Sequence, residues 1–347
     1  MRDEQWQQLI EVIEGRSIGK APAGFIIDCP WLSGWAGTSL MEYLTNEELW
    51  FETNRRAVTE YPDVWFIPGF WAEYAMCTEP SAFGCRCVWP EEEFPFPEKL
   101  IHRFEDVDEL TVPDCRKSGL LPFVVKRLHR YRSRIEELGH RIRFATCRGH
   151  FNVASYLVGQ TELLLAMRTE PERTHTLLDK VTRFLVDWIQ YQKEQFPDIE
   201  GILVLDDIVG FVGEKDFLEF AKPYLDRIFH AVDVPVRMFH NDAHGMVCAP
   251  HLADVGVNIF NFGFAHSLPD MRSALGPNVV MFGNIPPRDV LAGGTPDDVR
   301  QAVREAYASI EDKSRIIWSA GGGMPPGVTD ENLRAFVDTL SEVSSGA

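Results

Sequence analysis

The chain has 347 residues, 45% of them hydrophobic and 25% charged, which is the composition of an ordinary globular protein. Acidic residues outnumber basic ones by 52 to 34, and the formal charge of −18 argues against a nucleic-acid partner or an anionic membrane surface. No apolar run reaches the roughly 18 residues of a membrane span, and no signal peptide opens the chain, so we expect a cytoplasmic protein with reduced thiols.

Short apolar runs alternate with longer amphipathic stretches along the whole chain. Each run has the length and composition of a buried parallel strand. In chain order the predicted strands are Gly24–Asp28, Val64–Ile67, Ile142–Thr146, Gly201–Leu205, Val234–Phe239, Val257–Phe260, Val279–Phe282 and Arg315–Trp318. Eight strands that alternate with helices predict an α/β fold, a closed (β/α)₈ TIM barrel, with residues 1–347 forming a single domain.

Several helices between these strands can be bounded from the sequence. Residues 1–20 predict a leading helix, an N-terminal extension that packs outside the barrel. Apolar residues at helical spacing predict another helix over residues 174–192. Thr295 is the expected N-cap of a later helix, with Pro296 at its first position, and the last helix is expected over residues 329–340.

The connection between the second and third predicted strands is about 75 residues long, far more than a barrel connection usually needs. Part of this long insertion, Trp89–Pro97, is rich in proline and acidic residues. A long excursion on the catalytic face often forms a lid over the active site. An insertion on the surface without a catalytic role is the alternative, and the sequence favours neither.

Chemistry in such a barrel comes from side chains at the carboxyl ends of the strands. His240, Asp242 and His244 form the densest group there, at the end of the fifth predicted strand. Imidazole and carboxylate groups are good ligands for Zn²⁺ or another divalent metal, and they also suit acid–base chemistry near neutral pH. Because His240 and Asp242 are two residues apart, their side chains are expected to point the same way.

A pair of carboxylates, Asp206 and Asp207, ends the fourth predicted strand. Successive residues of a strand face opposite ways, so we expect one of them to enter the barrel mouth and the other to cap a loop or pair with a cation. Glu73 and Glu79, after the second strand, are weaker candidates, since a solvated loop carboxylate has the same sequence signature. Gly321–Gly323 indicates a turn that admits a ligand close to the backbone, or a plain tight turn.

The order of several motifs resembles the uroporphyrinogen decarboxylase superfamily, from about residue 140 to residue 340. Phe217–Tyr224 matches that family's Phe-x-x-Phe-x-x-Pro-Tyr motif, and Gly283–Pro287 resembles its Gly-Asn-Leu-Asp-Pro. Asp206–Gly210 stands where the decarboxylases have Asp-Ser-Trp-Ala-Gly, and residues 323–332 resemble the last family block. The resemblance implies a TIM-barrel enzyme.

The segments that hold the substrate in true decarboxylases are different here. Their arginine-rich N-terminal motif corresponds to Cys29–Gly37, which contains no arginine. Their pyrrole-binding Asp falls near Glu73, their Ser at Asp207 and their late His at Gly322, whereas their Tyr is kept as Tyr156. Acids in place of cations repel a substrate that carries many carboxylates, so haem-pathway decarboxylation is disfavoured.

Corrinoid-linked methyltransferases are the other large branch that the sequence resembles. They bind Zn²⁺ through a His-x-Cys motif at the end of strand five and through a later Cys. Here His240 is kept, Asp242 replaces the first Cys, and Gly322 stands at the later position. The resemblance therefore implies either a metal site with harder ligands or acid–base catalysis without metal, as in O-demethylating methyltransferases that protonate a leaving oxygen.

The leading hypothesis is a methyltransferase-like enzyme that moves a methyl group between a small substrate, such as an aromatic methoxy compound, and a corrinoid carried by a partner protein. The alternatives are a uroporphyrinogen decarboxylase-type enzyme of porphyrin biosynthesis and a barrel that binds a corrinoid or metabolite without catalysis. A homodimer is a further expectation about partners.

The roles that follow from this hypothesis fall into three groups. The expected catalytic residues are His240, Asp207, Glu73 and Tyr156. The expected substrate contacts are Asp206, His150, Arg148, Trp71, Trp31 and Asn284. The expected ligands of zinc or another divalent metal are His240, Asp242 and His244. The tryptophans form either an apolar pocket wall or ordinary core.

Overall fold

The structure, a computed structural model, describes residues 1–27, 29–91 and 93–345. Asp28, the predicted end of the first strand, lies outside the described residues. The described strands are β1 (Gly24–Ile26), β2 (Trp65–Ile67), β3 (Cys87–Val88), β4 (Phe96–Pro97), β5 (Phe144–Arg148), β6 (Gly201–Leu205), β7 (Val236–Asn241), β8 (Ile259–Phe262), β9 (Val280–Ile285) and β10 (Ile316–Ala320). Apart from β3 and β4, they correspond to the eight predicted strands.

These eight strands run parallel in the neighbour order of a TIM barrel, which confirms the predicted fold class. β5 to β10 form one continuous sheet, β1 pairs with β2, and a bridge between Ala23 and Trp318 joins β1 to β10. Among the described residues, no backbone ladder joins β2 to β5. At this seam the side chains of Trp71 and Phe144 line a small cleft between the two strands.

The ends of the strands differ from the prediction in a consistent way. From β5 onward, every strand except β6 continues two or three residues past its predicted end. The physical reason is that the apolar pattern marks only the buried part of a strand, whereas the backbone ladder extends into the polar residues at the barrel mouth. His240 and Asn241 are therefore part of β7 rather than of the following loop.

The helices in chain order are α1 (Asp3–Ile13), α2 (Cys29–Ala36), α3 (Leu40–Thr45), α4 (Glu47–Glu60), α5 (Thr78–Phe83), α6 (Leu121–Glu137), α7 (His150–Val158), α8 (Gln160–Thr169), α9 (Pro171–Gln195), α10 (Glu214–Asp216), α11 (Lys222–Phe229), α12 (Leu268–Leu275), α13 (Pro296–Ala308) and α14 (Asp330–Ser345). The predicted cap of α13 is confirmed, since the Thr295 side chain accepts a hydrogen bond from the Asp298 amide. α9 and α14 are longer than predicted. None of the helices in the described ranges is long and apolar enough to cross a membrane.

Helix α1 covers the amino-terminal end of the barrel. Its buried residues Trp6 and Leu9 belong to one apolar cluster with inward-facing strand residues such as Ile26 and Met238. Trp6 also meets Phe144 edge to face, with ring centroids 5.5 Å apart. The expectation that a leading helix packs outside the barrel is thus confirmed, although the helix is shorter than residues 1–20, and its position is across the lower opening. Substrate access is left to the carboxyl-terminal mouth.

The long insertion between β2 and α6 is docked against the barrel helices. It contains α5, the antiparallel hairpin β3–β4 and a 3₁₀ helix over Phe104–Glu109. The amides of Leu100 and Ile101 both donate to the Leu157 carbonyl of α7, and Val107 is fully buried. The start of the insertion carries Glu73 and Glu79 into the protein interior, so this segment contributes side chains to the mouth.

Candidate active site

His240 lies at the end of β7 with its ring orientation set by the neighbouring strand. Its Nδ1 is 2.6 Å from Oδ1 of Asn261, its register partner on β8. The Asn261 amide nitrogen donates to the Phe282 carbonyl at 2.8 Å, so the amide oxygen must be the acceptor toward His240. The proton therefore sits on Nδ1, and the lone pair of Nε2 is free to act as a base or to bind a metal.

Two carboxylates face that lone pair. Oδ1 of Asp207 is 3.5 Å from Nε2 of His240, and the same oxygen accepts a 3.1 Å hydrogen bond from the Asp242 amide. One ligand atom from each of Asp207, His240 and Asp242 can be chosen so that all three lie within 4.8 Å of one another. One imidazole nitrogen and two carboxylates, with no thiolate, fit a divalent metal such as Zn²⁺, Mn²⁺ or Fe²⁺.

The electrostatics of this cluster favour neutralisation of its charge. Burial raises the pKa of Asp207, His240 opposes the shift, and the nearby Asp242 carboxylate raises it further. Two carboxylates this close are stabilised by a shared proton or by a cation between them. A divalent metal bound at this cluster would therefore reduce the repulsion between the two carboxylates.

His244 is not a member of this group, which corrects the predicted ligand set of His240, Asp242 and His244. The chain leaves β7 after Asn241 and turns into a 3₁₀ helix at Gly245, so the two-residue alternation of the strand no longer applies. The His244 ring instead packs edge to face on His266, with centroids 4.8 Å apart. Asp207, predicted as a catalytic residue, takes its place beside His240.

The position after β10 that corresponds to the late family ligand does reach the cluster. Gly322 has φ +112°, and a Cβ atom there would stand 3.0 Å from Oδ2 of Asp242. Glycine leaves this side of the cluster open and contributes no ligand. The residue at the position of the late family ligand therefore lies beside the cluster but adds no donor to it.

Arg148 at the end of β5 is held by two buried acids. Its guanidinium lies 2.9 Å from Glu73 and 3.1 Å from Glu79, and its amide donates to Glu79 at 3.1 Å. Although burial opposes it, these two carboxylates raise the pKa of Arg148 above its usual range. Its charge is already offset by an internal ion pair with the two glutamates, and the expected contact of Arg148 with substrate stays a prediction. Glu79 is the partner that sequence analysis undervalued.

Tyr156 on α7 lies within the electrostatic reach of both Arg148 and Asp207. Burial raises the pKa of Tyr156 to about 12, against the opposing effect of Arg148 and with a further contribution from Asp207. The phenol therefore keeps its proton at neutral pH and is a hydrogen-bond donor.

Asp206 and His150 lie beneath the mouth, and their predicted role as substrate contacts is corrected. Asp206 is fully buried and accepts hydrogen bonds from the amides of Phe151 and Asn152, each at 2.9 Å. It thus satisfies the first free amides of α7. His150 is fully buried, with Nε2 3.2 Å from the Phe220 carbonyl, and burial lowers its pKa to about 3. As the strand alternation predicted, the two carboxylates face opposite ways: Asp206 caps α7 and Asp207 lies beside His240.

The remaining predicted contacts are distributed around the core. Trp31 is fully buried, donates to the Val328 carbonyl at 3.1 Å and stacks on Trp35, so the core alternative applies to it. Trp71 is half-buried at the seam between β2 and β5. Asn284 donates to the His266 carbonyl at 2.6 Å. Trp31 is thereby corrected from a substrate contact to a core residue.

Solved structures with the same architecture include a methyltransferase and a methionine synthase. A methyltransferase from Methanosarcina mazei superposes with a TM-score of 0.81 at 18% identity, covering 97% of this chain and 98% of that one. A B12-independent methionine synthase from Shewanella sp. W3-18-1, solved with selenomethionine, gives a TM-score of 0.54 at 12% identity over 94% and 95% of the two chains. At these identities the comparison shows a shared fold.

Sequence relatives carry a different name. The uroporphyrinogen decarboxylase of Psychromonas ingrahamii is 26% identical over 280 residues, covering 77% of this chain and 76% of the relative. That of Chloroherpeton thalassium is 25% identical over 279 residues, 76% of either chain. The family described as uroporphyrinogen decarboxylase (URO-D) matches residues 12–343. With nearly its whole length matched, the chain belongs to the uroporphyrinogen decarboxylase family.

Proposed function

We propose that this family member is a methyltransferase-like enzyme that moves a methyl group between a small substrate and a corrinoid carried by a partner protein. The observation that carries the proposal is the Asp207–His240–Asp242 cluster at the barrel mouth. These three residues would hold zinc or another divalent metal. A metal bound there would supply Lewis-acid activation of the substrate heteroatom that carries or receives the methyl group.

The side chains around the cluster have complementary tasks. Asn261 holds His240 in the tautomer that presents Nε2 to the mouth. Tyr156 donates a hydrogen bond to the substrate heteroatom and keeps its own proton at neutral pH. Glu73, predicted as catalytic, holds Arg148 in place as a positioning residue. The methyl-transferring neighbours in the structural comparison support this assignment at the level of the fold.

The charge of the inner mouth opposes the alternative, decarboxylation of uroporphyrinogen, for which the curated relatives are named. Glu73, Glu79 and Asp207 are acidic, and the charge of Arg148 is used by the two glutamates. A substrate with many carboxylates needs unpaired cations to offset its charge. A small neutral substrate carries no such penalty, which favours methyl transfer over decarboxylation.

Metal analysis of the purified protein tests the cluster directly. We expect about one divalent metal per chain in the wild type, and loss of that metal in His240→Ala and Asp207→Asn, because each removes a ligand. His244→Ala is the matched control, since it changes an exposed histidine of the same segment and should keep the metal. Equal metal content in all four proteins would show that the cluster is not the metal site.

A further inference from the structure

The amino-terminal end of the barrel carries a second cavity, remote from the mouth. It has a volume of about 370 Å³ and lies where the chain passes from α1 to β1, beside the start of β10. Its lining contains the basic residues Arg16, Lys20, Lys313 and Arg315, and no acidic residue among those described. In a chain with a formal charge of −18, four basic side chains around one cavity are a local concentration of positive charge.

Arg315 is fixed at the wall of this cavity. Its Nε donates to the Ile13 carbonyl and its Nη1 to the Pro277 carbonyl, both at 3.0 Å. Its Nη2 has no hydrogen-bond partner within the described ranges, so one edge of the guanidinium remains available. A Cβ atom on Gly15, which has φ +78°, would come within 2.7 Å of the Arg315 Cζ. Glycine at this position is therefore required for the close approach of the guanidinium.

The backbone conformation of Arg315 also indicates that this side chain is held in a specific position at the cavity wall. It has φ +51°, a left-handed conformation that costs a residue with a side chain about 1 kcal/mol or more. The guanidinium of Arg315 reaches the end of α1, where it satisfies the carbonyl of Ile13, the last residue of the helix. The strained backbone of Arg315 is thus associated with a guanidinium that is held beside the cavity.

Two of the four cations form no direct ion pair among the described residues, although the Asp312 carboxylate lies within electrostatic reach of Arg315. Lys313 donates to the Ile310 carbonyl at 2.8 Å and lies 4.6 Å from the Tyr307 ring centroid, but neither it nor Arg315 forms an ion pair with any described residue. Arg16 pairs with Glu14, and Lys20 lies 3.4 Å from Asp63 in an exposed contact. Exposed pairs of this kind contribute little, so Lys20 is readily redirected to a stronger anion.

The loop before β1 adds backbone donors on the same side. The amides of Ser17, Ile18 and Lys20 have no acceptor among the described residues, whereas the Gly19 amide donates to the Ser17 hydroxyl at 3.3 Å. Successive free amides beside cationic side chains are a recurring way of binding phosphate groups. The cavity size falls within the range of sites for small ligands, larger than a single phosphate requires.

We propose that this cavity binds a small phosphorylated molecule, with its phosphate between Lys313 and Arg315 and with Lys20 closing over it. A phosphate is favoured over a single carboxylate because the lining offers several cationic side chains and free amides, and a phosphate group carries more negative charge and more acceptor oxygens than a carboxylate. The site lies at the end of the barrel opposite the carboxylate cluster, so it is separate from the proposed methyl-transfer site.

Calorimetric titration of the full chain with inorganic pyrophosphate tests the proposal. We expect one binding event per chain, at least tenfold weaker in the double variant Lys20→Gln/Lys313→Gln. The matched control is Lys126→Gln/Lys215→Gln, which removes the same charge from exposed lysines elsewhere and should bind as the wild type does. Circular dichroism of both variants checks that the fold is retained.

Two further titrations distinguish the basic cavity from the barrel mouth and phosphate from carboxylate. His240→Ala should bind pyrophosphate as the wild type does, and loss of binding in that variant would place the ligand at the barrel mouth and overturn the proposal. Succinate should bind at least tenfold more weakly than pyrophosphate. Absence of binding at millimolar pyrophosphate, equal weakening in the control variant, or equal affinity for succinate would each overturn it.

Discussion

A single amide on the neighbouring strand sets what His240 can do. Asn261 accepts from Nδ1 because its own nitrogen is committed to the Phe282 carbonyl, and this directs Nε2 toward Asp207 as the nitrogen that carries the lone pair in the neutral ring. A histidine in the other tautomer would present a proton to the cluster and could not bind a metal there. The chemistry of the site therefore depends on a residue that touches neither substrate nor metal.

Substitution of Asn261 by alanine tests this dependence. Without the acceptor, the His240 ring loses its tautomer preference, and we expect divalent-metal affinity to fall by about 10- to 100-fold. Competition with a chromophoric chelator measures this change. Asn284→Ala, on the next strand, is the control and should keep wild-type affinity. An unchanged affinity in Asn261→Ala would mean that the amide does not orient the ring.

The cluster residues His240, Asp207 and Asp242 could be found from the sequence because all three lie at strand ends, where barrel chemistry is expected. Asn261 and Glu79 could not be ranked, because their importance comes from partners on other strands or far along the chain. Asp206 looked equivalent to Asp207 in sequence, and strand alternation alone could not say which of the two faces the mouth. Burial decides: Asp206 is fully buried beneath α7.

At the scale of elements, α7 shows how the floor of the mouth is held. Its first amides are satisfied by the Asp206 carboxylate, and the adjoining His150 is buried and neutral. Gly149 precedes the helix where a Cβ atom would collide with the Asp206 side chain. These contacts fix the start of the helix that carries Tyr156 into the mouth.

Burial of His150 predicts a loss of stability in acid. Its pKa is lowered from 6.5 to about 3 in the folded state, so only the unfolded chain takes up the proton between these values. The histidine has no effect above pH 6.5 and destabilises the fold progressively below it, by about 1.4 kcal/mol per pH unit. Burial of Asp206 raises the pKa of that carboxyl and acts in the opposite direction.

Urea unfolding of the wild type and of His150→Gln at pH 7.5 and pH 5 isolates the histidine contribution, because Asp206 is present in both proteins. We expect the unfolding free energy of the wild type, relative to the variant, to fall by about 2 kcal/mol between these pH values. A difference between the two proteins that does not change with pH would mean that His150 is protonated in the folded state.

The strands were predictable because a buried parallel strand is a short apolar run, and eight such runs leave few arrangements other than a barrel. Their polar ends were not, since the backbone ladder continues past the apolar pattern, as it does at His240 in β7. Helix α1 was predictable as a helix, but an amphipathic face does not say what covers it. Here the apolar face of α1 packs against the inward-facing residues of the strands at the amino-terminal end of the barrel.

At the scale of the whole molecule, the barrel has two ends of different character. The carboxyl-terminal mouth is acidic and carries the cluster of Asp207, His240 and Asp242. The amino-terminal end is closed by α1 and bears the basic cavity next to it. Stability and chemistry are therefore separated along the barrel axis, as in other barrels of this class.

This separation predicts that damage at the closed end leaves the mouth intact. Trp6→Ala removes a buried indole from helix α1, which closes the amino-terminal end of the barrel. We expect chemical denaturation to show a loss of about 3–5 kcal/mol in the free energy of unfolding. The metal content of the folded variant should match that of the wild type. A folded Trp6→Ala protein that loses its metal would contradict the separation of the two ends.

The central claim is that the Asp207–His240–Asp242 cluster supports methyl transfer. Its most direct test is the spectrum of cob(I)alamin mixed anaerobically with the metal-loaded protein and a panel of methoxyphenols, methanol and methylated thiols. We expect methylcob(III)alamin to form with at least one of them, at least 100-fold slower in His240→Ala and Asp207→Asn but not in His244→Ala. Decarboxylation of uroporphyrinogen by the same protein, without methylcob(III)alamin from any member of the panel, would contradict the claim.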